Sequence, residues 1–255
     1  MATQAQQVAQ TPVDWAPPPR RDWVTALRAL VRLLRDADDT AQVFRIMRAL
    51  NGDIAGRNYR KLLAVPDGGR LAYRRVELAQ RFSDRSWIDA FPPRTVAAAY
   101  RDFLERTGYS AQGLVDLSGA EGISQDIEHP HAWFGRRERD IHDIWHILTG
   151  YQADEPLGEA CLAAFSYSQT GGLGWIFIAA GAALKSVRIT RSTSFARAVI
   201  EGYRRGKRAA WLSAQDYEAL MGEPLADARR RLRIDAPVRY GKAQAELHAA
   251  RMTGI

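Results

Sequence analysis

Arg136-Arg137-Glu138-Arg139-Asp140-Ile141-His142-Asp143-Ile144-Trp145-His146-Ile147-Leu148-Thr149-Gly150 reads as a helix that stops at a glycine. Ile141, Ile144, Trp145 and Leu148 recur at three- and four-residue steps, the period of an amphipathic helix. A connector over 149–156 leads to a second helical stretch over about 157–168. So short a link makes the two helices antiparallel neighbours. Outward from this pair the same period returns. Trp23, Leu27, Leu30, Val31 and Leu34 form one helical stripe, and Asp38-Asp39-Thr40 caps a helix through Val43, Met47 and Leu50. Thr95 opens another, with Val96, Tyr100, Phe103 and Leu104 inward and Gly108 at its end. A loop is expected over about 112–130, helices over 174–185, 194–207 and 213–220, and a final helix from Pro224 to Leu232. Two-residue alternation is nearly absent. The reading is all-α: a single compact multi-helix domain over 21–255 with antiparallel helix pairs, behind a flexible leader over 1–20.

The 255 residues are 46% apolar and 25% charged, enough for one sizeable core and too apolar for a disordered chain. One cysteine, Cys161, excludes an internal disulfide framework and any multi-cysteine zinc site. No apolar run reaches the roughly 18–20 residues of a spanning helix. Neither a secretory signal nor a transit-peptide pattern opens the sequence, so a reducing cytoplasm is expected. The net charge of +7 is uneven: from Lys185 onward 15 Lys and Arg face 7 Asp and Glu. Such a basic end suits an anionic membrane surface. No nucleic-acid-binding motif accompanies the basic run Arg204, Arg205, Lys207 and Arg208, so nucleic acid is not expected.

His142 and His146, four residues apart, project from one helix face and can share one ion. Asp143 sits about 100° around, placed as a third ligand or as a partner of a ligand. Glu159, early on the next helix, is the expected fourth. Two imidazoles and two carboxylates suit iron, zinc or manganese, and open positions would favour catalysis. Histidines satisfied within a packed core, or a solvated stripe, are the plainer alternatives. His129-Pro130-His131 has an unfavourable i, i+2 spacing and is expected at the surface; Cys161 reads as a small buried hydrophobe.

The pattern His142-Asp143-Ile144-Trp145-His146, followed after twelve residues by Glu159 behind Leu157-Gly158, resembles the ubiquinone (coenzyme Q) biosynthesis Coq-four family. That family's spacing is about eleven, so one residue is extra, within 151–156; Glu155 becomes the less favoured ligand. Further matches are Asp39-Thr40 before Val43-Phe44, Phe91-Pro92-Pro93, Gln169-Thr170-Gly171, and Pro224-Leu225 with residues 230–234. The resemblance covers about 23–234.

The resemblance implies an all-α homodimer, peripheral at the inner face of the cell membrane and binding a divalent metal through His142, Asp143, His146 and Glu159. It implies a metal-dependent decarboxylase/hydroxylase that replaces the C1 carboxylate of a polyprenyl-hydroxybenzoate-type precursor by a hydroxyl. An alternative is a non-catalytic, metal-stabilised scaffold that holds the lipid and organises other quinone biosynthesis enzymes. For either, residues 171–184 offer a prenylated aromatic precursor an apolar groove, or else form a central packed helix.

Overall fold

The computed structural model describes residues 20–37, 39–120 and 128–254. Among them the chain forms sixteen α-helices and no strand, as the periodicity requires. The first eight are α1 (Trp23–Arg35), α2 (Ala41–Leu50), α3 (Ile54–Leu63), α4 (Gly68–Arg74), α5 (Leu78–Ser83), α6 (Arg85–Asp89), α7 (Val96–Thr107) and α8 (Ala111–Ala120). Then follow α9 (Pro130–Asp140), α10 (His142–Thr149), α11 (Pro156–Thr170), α12 (Leu173–Thr190), α13 (Ser194–Arg208), α14 (Tyr217–Met221), α15 (Leu225–Arg231) and α16 (Val238–Ala249). The leader expected over 1–20 lies, apart from Arg20, outside the described residues.

α11 is the axis of the molecule. Leu157, Leu162, Ala164 and Phe165 are buried in one core cluster with Tyr100 of α7, Ile144 and Leu148 of α10, and Ala198 of α13. Its approach to α13 is close: a Cβ on Gly202 would lie 2.5 Å from the Cys161 carbonyl oxygen, and one on Gly206 would lie 2.7 Å from that of Phe165. Cys161 is buried, as expected. A second layer packs α1 and α2 on α12 through Leu30, Ile46, Leu50 and Phe177.

Several expectations change. The α1 stripe is helical but only part of it turns inward: Leu30 is buried and Leu34 packs against the core, whereas Trp23, Leu27 and Val31 are exposed and Ala26, Ala29 and Leu33 complete the buried face. Ala26, Ala29, Leu30 and Leu33 form one cluster with Ile46 and Leu50 of α2. The helix expected over 136–148 is two, because Ile141 at φ −86° and ψ −2° interrupts it. The loop expected from 112 is helical to Ala120. The helix ending near Leu232 is not the last, since α16 follows. Arg205 does not belong to a solvated basic face: it is buried and donates to the carbonyls of Thr149 and Asp235. Finally, the apolar helix runs past Leu184 to Thr190; by length and composition α12 is long and apolar enough to cross a membrane. It is packed along part of its surface by α1, α2, α11 and α13.

Candidate metal centre

α10 carries both histidines, and each ring is held through its Nδ1 atom. His146 Nδ1 lies 3.0 Å from the Tyr151 carbonyl oxygen, to which it donates. That bond puts the proton on Nδ1 and leaves the Nε2 lone pair bare. Nε2 is sealed from solvent without a hydrogen bond of good geometry, and Glu159 Oε1 stands 3.2 Å from it. A lone pair facing a carboxylate oxygen at that distance needs a cation between them or beside them, either a proton or a metal ion. His142 Nδ1 lies 3.4 Å from Asp143 Oδ1. This turns the other nitrogen of His142 away from Asp143.

One ligand atom each from His142, His146 and Glu159 fall within 4.8 Å of one another. Bonds of about 2.1 Å to a shared tetrahedral ion would draw these atoms together by up to roughly 1.4 Å. Glu159 has the freedom to do so, its side chain being 45% exposed. The donor set, two imidazoles and one carboxylate, therefore fits a divalent ion of the zinc, iron or manganese kind.

The structure does not bring Asp143 into this group. A residue next to a ligand on a helix points about 100° away, and Asp143 is buried toward Tyr100, whose hydroxyl it helps to push up after burial. Its carboxylate lies beside His142 Nδ1, outside the group of three ligand atoms. Glu155 is elsewhere too: it accepts from the Tyr240 hydroxyl and from Gln244. The assignment of Glu159 over Glu155 thus agrees with the geometry. His129 and His131 lie together, with ring centroids 4.8 Å apart, at the start of α9.

The electrostatics of the three residues interlock. Burial would depress His142, yet the Asp143 bond and the charges of Glu159 and Asp143 outweigh it and hold the imidazolium above its ordinary range. Burial would raise Glu159, and His146 and His142 instead hold its carboxyl below the usual value. Both directions favour positive charge on the imidazole of His142 beside a negative Glu159, an arrangement in which a metal ion would compete with protons.

Aromatic rings frame the site, and periodicity alone did not find them. Trp175, on the first turn of α12, lies parallel to His142 at 5.9 Å between centroids. Phe103 of α7 stacks on His146 at 6.2 Å. The signal for Trp175 was its place in the apolar stretch that follows the ligand helices.

The fold and the site together define an α-helical protein with a candidate two-histidine, one-carboxylate metal centre at the seam of three helices. The sequence profile of "Coenzyme Q (ubiquinone) biosynthesis protein Coq4" matches residues 21–238, and the chain belongs to that family. The ubiquinone biosynthesis protein coq-4, mitochondrial, of Neurospora crassa is 31% identical over 109 residues, 43% of this chain and 29% of that protein. Its counterpart in Pyrenophora tritici-repentis is 32% identical over 111 residues, 44% of this chain and 36% of that protein. The chain therefore spans about a third of the length of these relatives. In Arthroderma otae the match is 24% over 176 residues, 69% of this chain and 63% of the relative. A crystal structure of a Nostoc punctiforme protein assigned to ubiquinone biosynthesis superposes with a TM-score of 0.60 at 19% identity. It covers 85% of this chain and 100% of the other, and shows the shared fold.

Proposed function

We propose that this chain acts in ubiquinone biosynthesis as a metal-dependent enzyme on a prenylated aromatic acid. In the proposed reaction the C1 carboxylate of a polyprenyl-hydroxybenzoate-type ring is replaced by a hydroxyl. The balance is a two-electron oxidation of the ring: aryl carboxylic acid, dioxygen and water give phenol, carbon dioxide and hydrogen peroxide. The observation that carries the reading is the bare, buried Nε2 of His146 facing Glu159, with His142 alongside and an apolar helix beginning at the same point.

His142, His146 and Glu159 would hold the ion, which when bound supplies a Lewis acid for the carboxylate and, if it is iron, a redox partner for dioxygen. Zinc cannot exchange electrons, so the oxidative reading favours iron. Asp143 orients His142, and the Tyr151 carbonyl orients His146. Trp175 and Phe103 offer the ring flat apolar surfaces beside the two imidazoles.

The half-exposed length of α12 from Trp175 to Leu184 supports a path for the prenyl tail. Beside it, Trp23, Val24, Leu27 and Val31 of α1 expose a further apolar stripe, and Trp23 meets Phe177 of α12 edge-on at 6.0 Å. Arg28, Lys185 and Arg188 lie on the same two helices. This pairing of apolar and basic groups supports peripheral docking on an anionic membrane from its cytoplasmic side, with a substrate drawn directly out of the lipid.

Protein purified without oxygen, loaded with iron and given a prenylated hydroxybenzoate in vesicles should release carbon dioxide and form the phenol when air is admitted. His146→Ala should abolish both products. Product formation unchanged by His146→Ala, or none from the iron-loaded protein, would contradict the enzyme reading and leave the scaffold.

A further inference from the structure

The connector that joins the two halves of the site is held from outside by the last helix. The Tyr240 hydroxyl of α16 accepts from the Gln152 backbone N–H at 3.1 Å and donates to Glu155 Oε1. Gln244, one turn later, donates to the same oxygen at 3.0 Å. The Tyr151 ring meets Tyr240 edge-on at 5.1 Å, and the Arg205 guanidinium covers the Tyr151 ring at 4.9 Å.

Every residue so held adjoins a part that sets a candidate ligand. Tyr151 supplies the carbonyl that fixes the proton of His146 on Nδ1. Gln152, in the connector, packs against the first turn of α11, so close that a Cβ on Gly158 would stand 1.9 Å from its carbonyl oxygen. Gly158 directly precedes Glu159. The Glu155 carbonyl accepts from the Glu159 N–H at 3.2 Å. α16 begins where the family match ends, at Val238.

We propose that α16 is a latch for the metal centre. Tyr240 and Gln244 act as positioning residues that hold the connector down, so that His146 keeps its Nδ1–H form and Glu159 reaches the shared point. This rests on the reading of His142, His146 and Glu159 as the metal ligands. An unlatched connector would lift the Tyr151 carbonyl from His146 and loosen the start of α11. Groups that orient ligands from behind commonly set metal affinity over about 10–100-fold.

The test uses the full chain and zinc ion alone. Tyr240→Phe removes the hydroxyl and keeps the ring that packs on Tyr151. Zinc affinity is read by competition with a chromophoric chelator, and the His146 tautomer by imidazole nitrogen shifts of the metal-free protein. The wild-type chain should bind one zinc and show His146 protonated on Nδ1. Tyr240→Phe should bind about tenfold more weakly and lose that tautomer signature, with a melting temperature close to wild type. Gln244→Leu should lose affinity in the same direction and decides the matter if Tyr240→Phe does not fold. Val238→Ala, an exposed change on the same helix, should leave zinc binding unchanged. Unaltered affinity and tautomer in Tyr240→Phe, or unaltered affinity in Gln244→Leu where the first does not fold, would overturn the latch and leave the metal site standing. A wild-type chain that takes up no zinc would overturn both.

Discussion

α11 and α12 are consecutive helices with opposite surroundings. α11 buries eleven of its fifteen residues, a glutamine, a serine and a threonine among them. α12 is more apolar along its length and buries three of eighteen, Gly174, Ala179 and Ser186. Burial therefore follows from neighbours rather than from composition. Gly202 and Gly206 let the α13 backbone close on α11, and α16 covers α11 from another side. α12 is packed by α1 and α2 on one side and remains half-exposed elsewhere. The candidate centre sits where the two regimes meet: Glu159 belongs to the buried helix, and Trp175, against His142, to the exposed one. A polar centre with an apolar approach is what the proposed amphipathic substrate would need.

The largest effect should come at the seam. His146→Ala removes a nitrogen that no adjacent side chain can replace, so stoichiometric metal should be lost, as read by elemental analysis. Asp143→Ala should weaken binding by about 10–100-fold without abolishing it, because Asp143 acts through His142. Equal losses in the two variants would return Asp143 to the ligand set.

The contrast between the helices is sharpened by paired truncations. Leu162→Ala, in the fully buried part of α11, should cost about 2–5 kcal/mol in urea unfolding. Leu184→Ala on α12 is 61% exposed and should change stability by less than about 0.5 kcal/mol. Its effect should appear in vesicle binding instead, which ought to weaken. Similar stability losses at both positions would break the distinction.

A smaller, pH-dependent effect is expected at the far end of α11. There Asn58 donates to the Thr170 carbonyl at 3.1 Å and to Glu138 at 3.3 Å, and Ser213 donates to the same Glu138 oxygen. Burial pushes the Glu138 carboxyl up to about 7 from an ordinary 4.5, in spite of Ser213, Asn58, Arg137 and Lys61 pulling it down. The folded chain keeps a proton that the unfolded chain gives up between those values. Stability from this group is thus highest below pH 4.5 and declines as pH rises to about 7. Glu138→Gln keeps the acceptor oxygen and removes the titration. It should be neutral near pH 4.5 and stabilising by up to roughly 3 kcal/mol at pH 8, seen in melting curves at both values.

Much of this was legible in the sequence. The helical period gave the all-α class, and the i, i+4 histidines with a glutamate on the next helix gave the three residues that converge. What periodicity cannot supply is direction. The Trp23, Leu27 and Val31 positions are as regularly spaced as any buried set and face outward, because Ala26, Ala29, Leu30 and Leu33 make the face of α1 that packs with α2. Spacing leaves Asp143 open as a third ligand or as a partner of one, and the structure sets its carboxylate beside His142 and toward Tyr100. Arg205 looked like part of a basic surface until α13 packed it beneath Tyr151. The hold of α16 on the connector spans more than eighty residues, and no local pattern reports it.

X-ray absorption at the metal edge, on protein purified without oxygen, tests the central claim most directly. The account predicts one divalent ion per chain with two imidazole nitrogens and carboxylate oxygen in its first shell. Occupancy should fall as pH drops below the raised range of His142, since protons then compete for the ring. An ion with no imidazole in its shell, or a shell unchanged in His146→Ala, would contradict it.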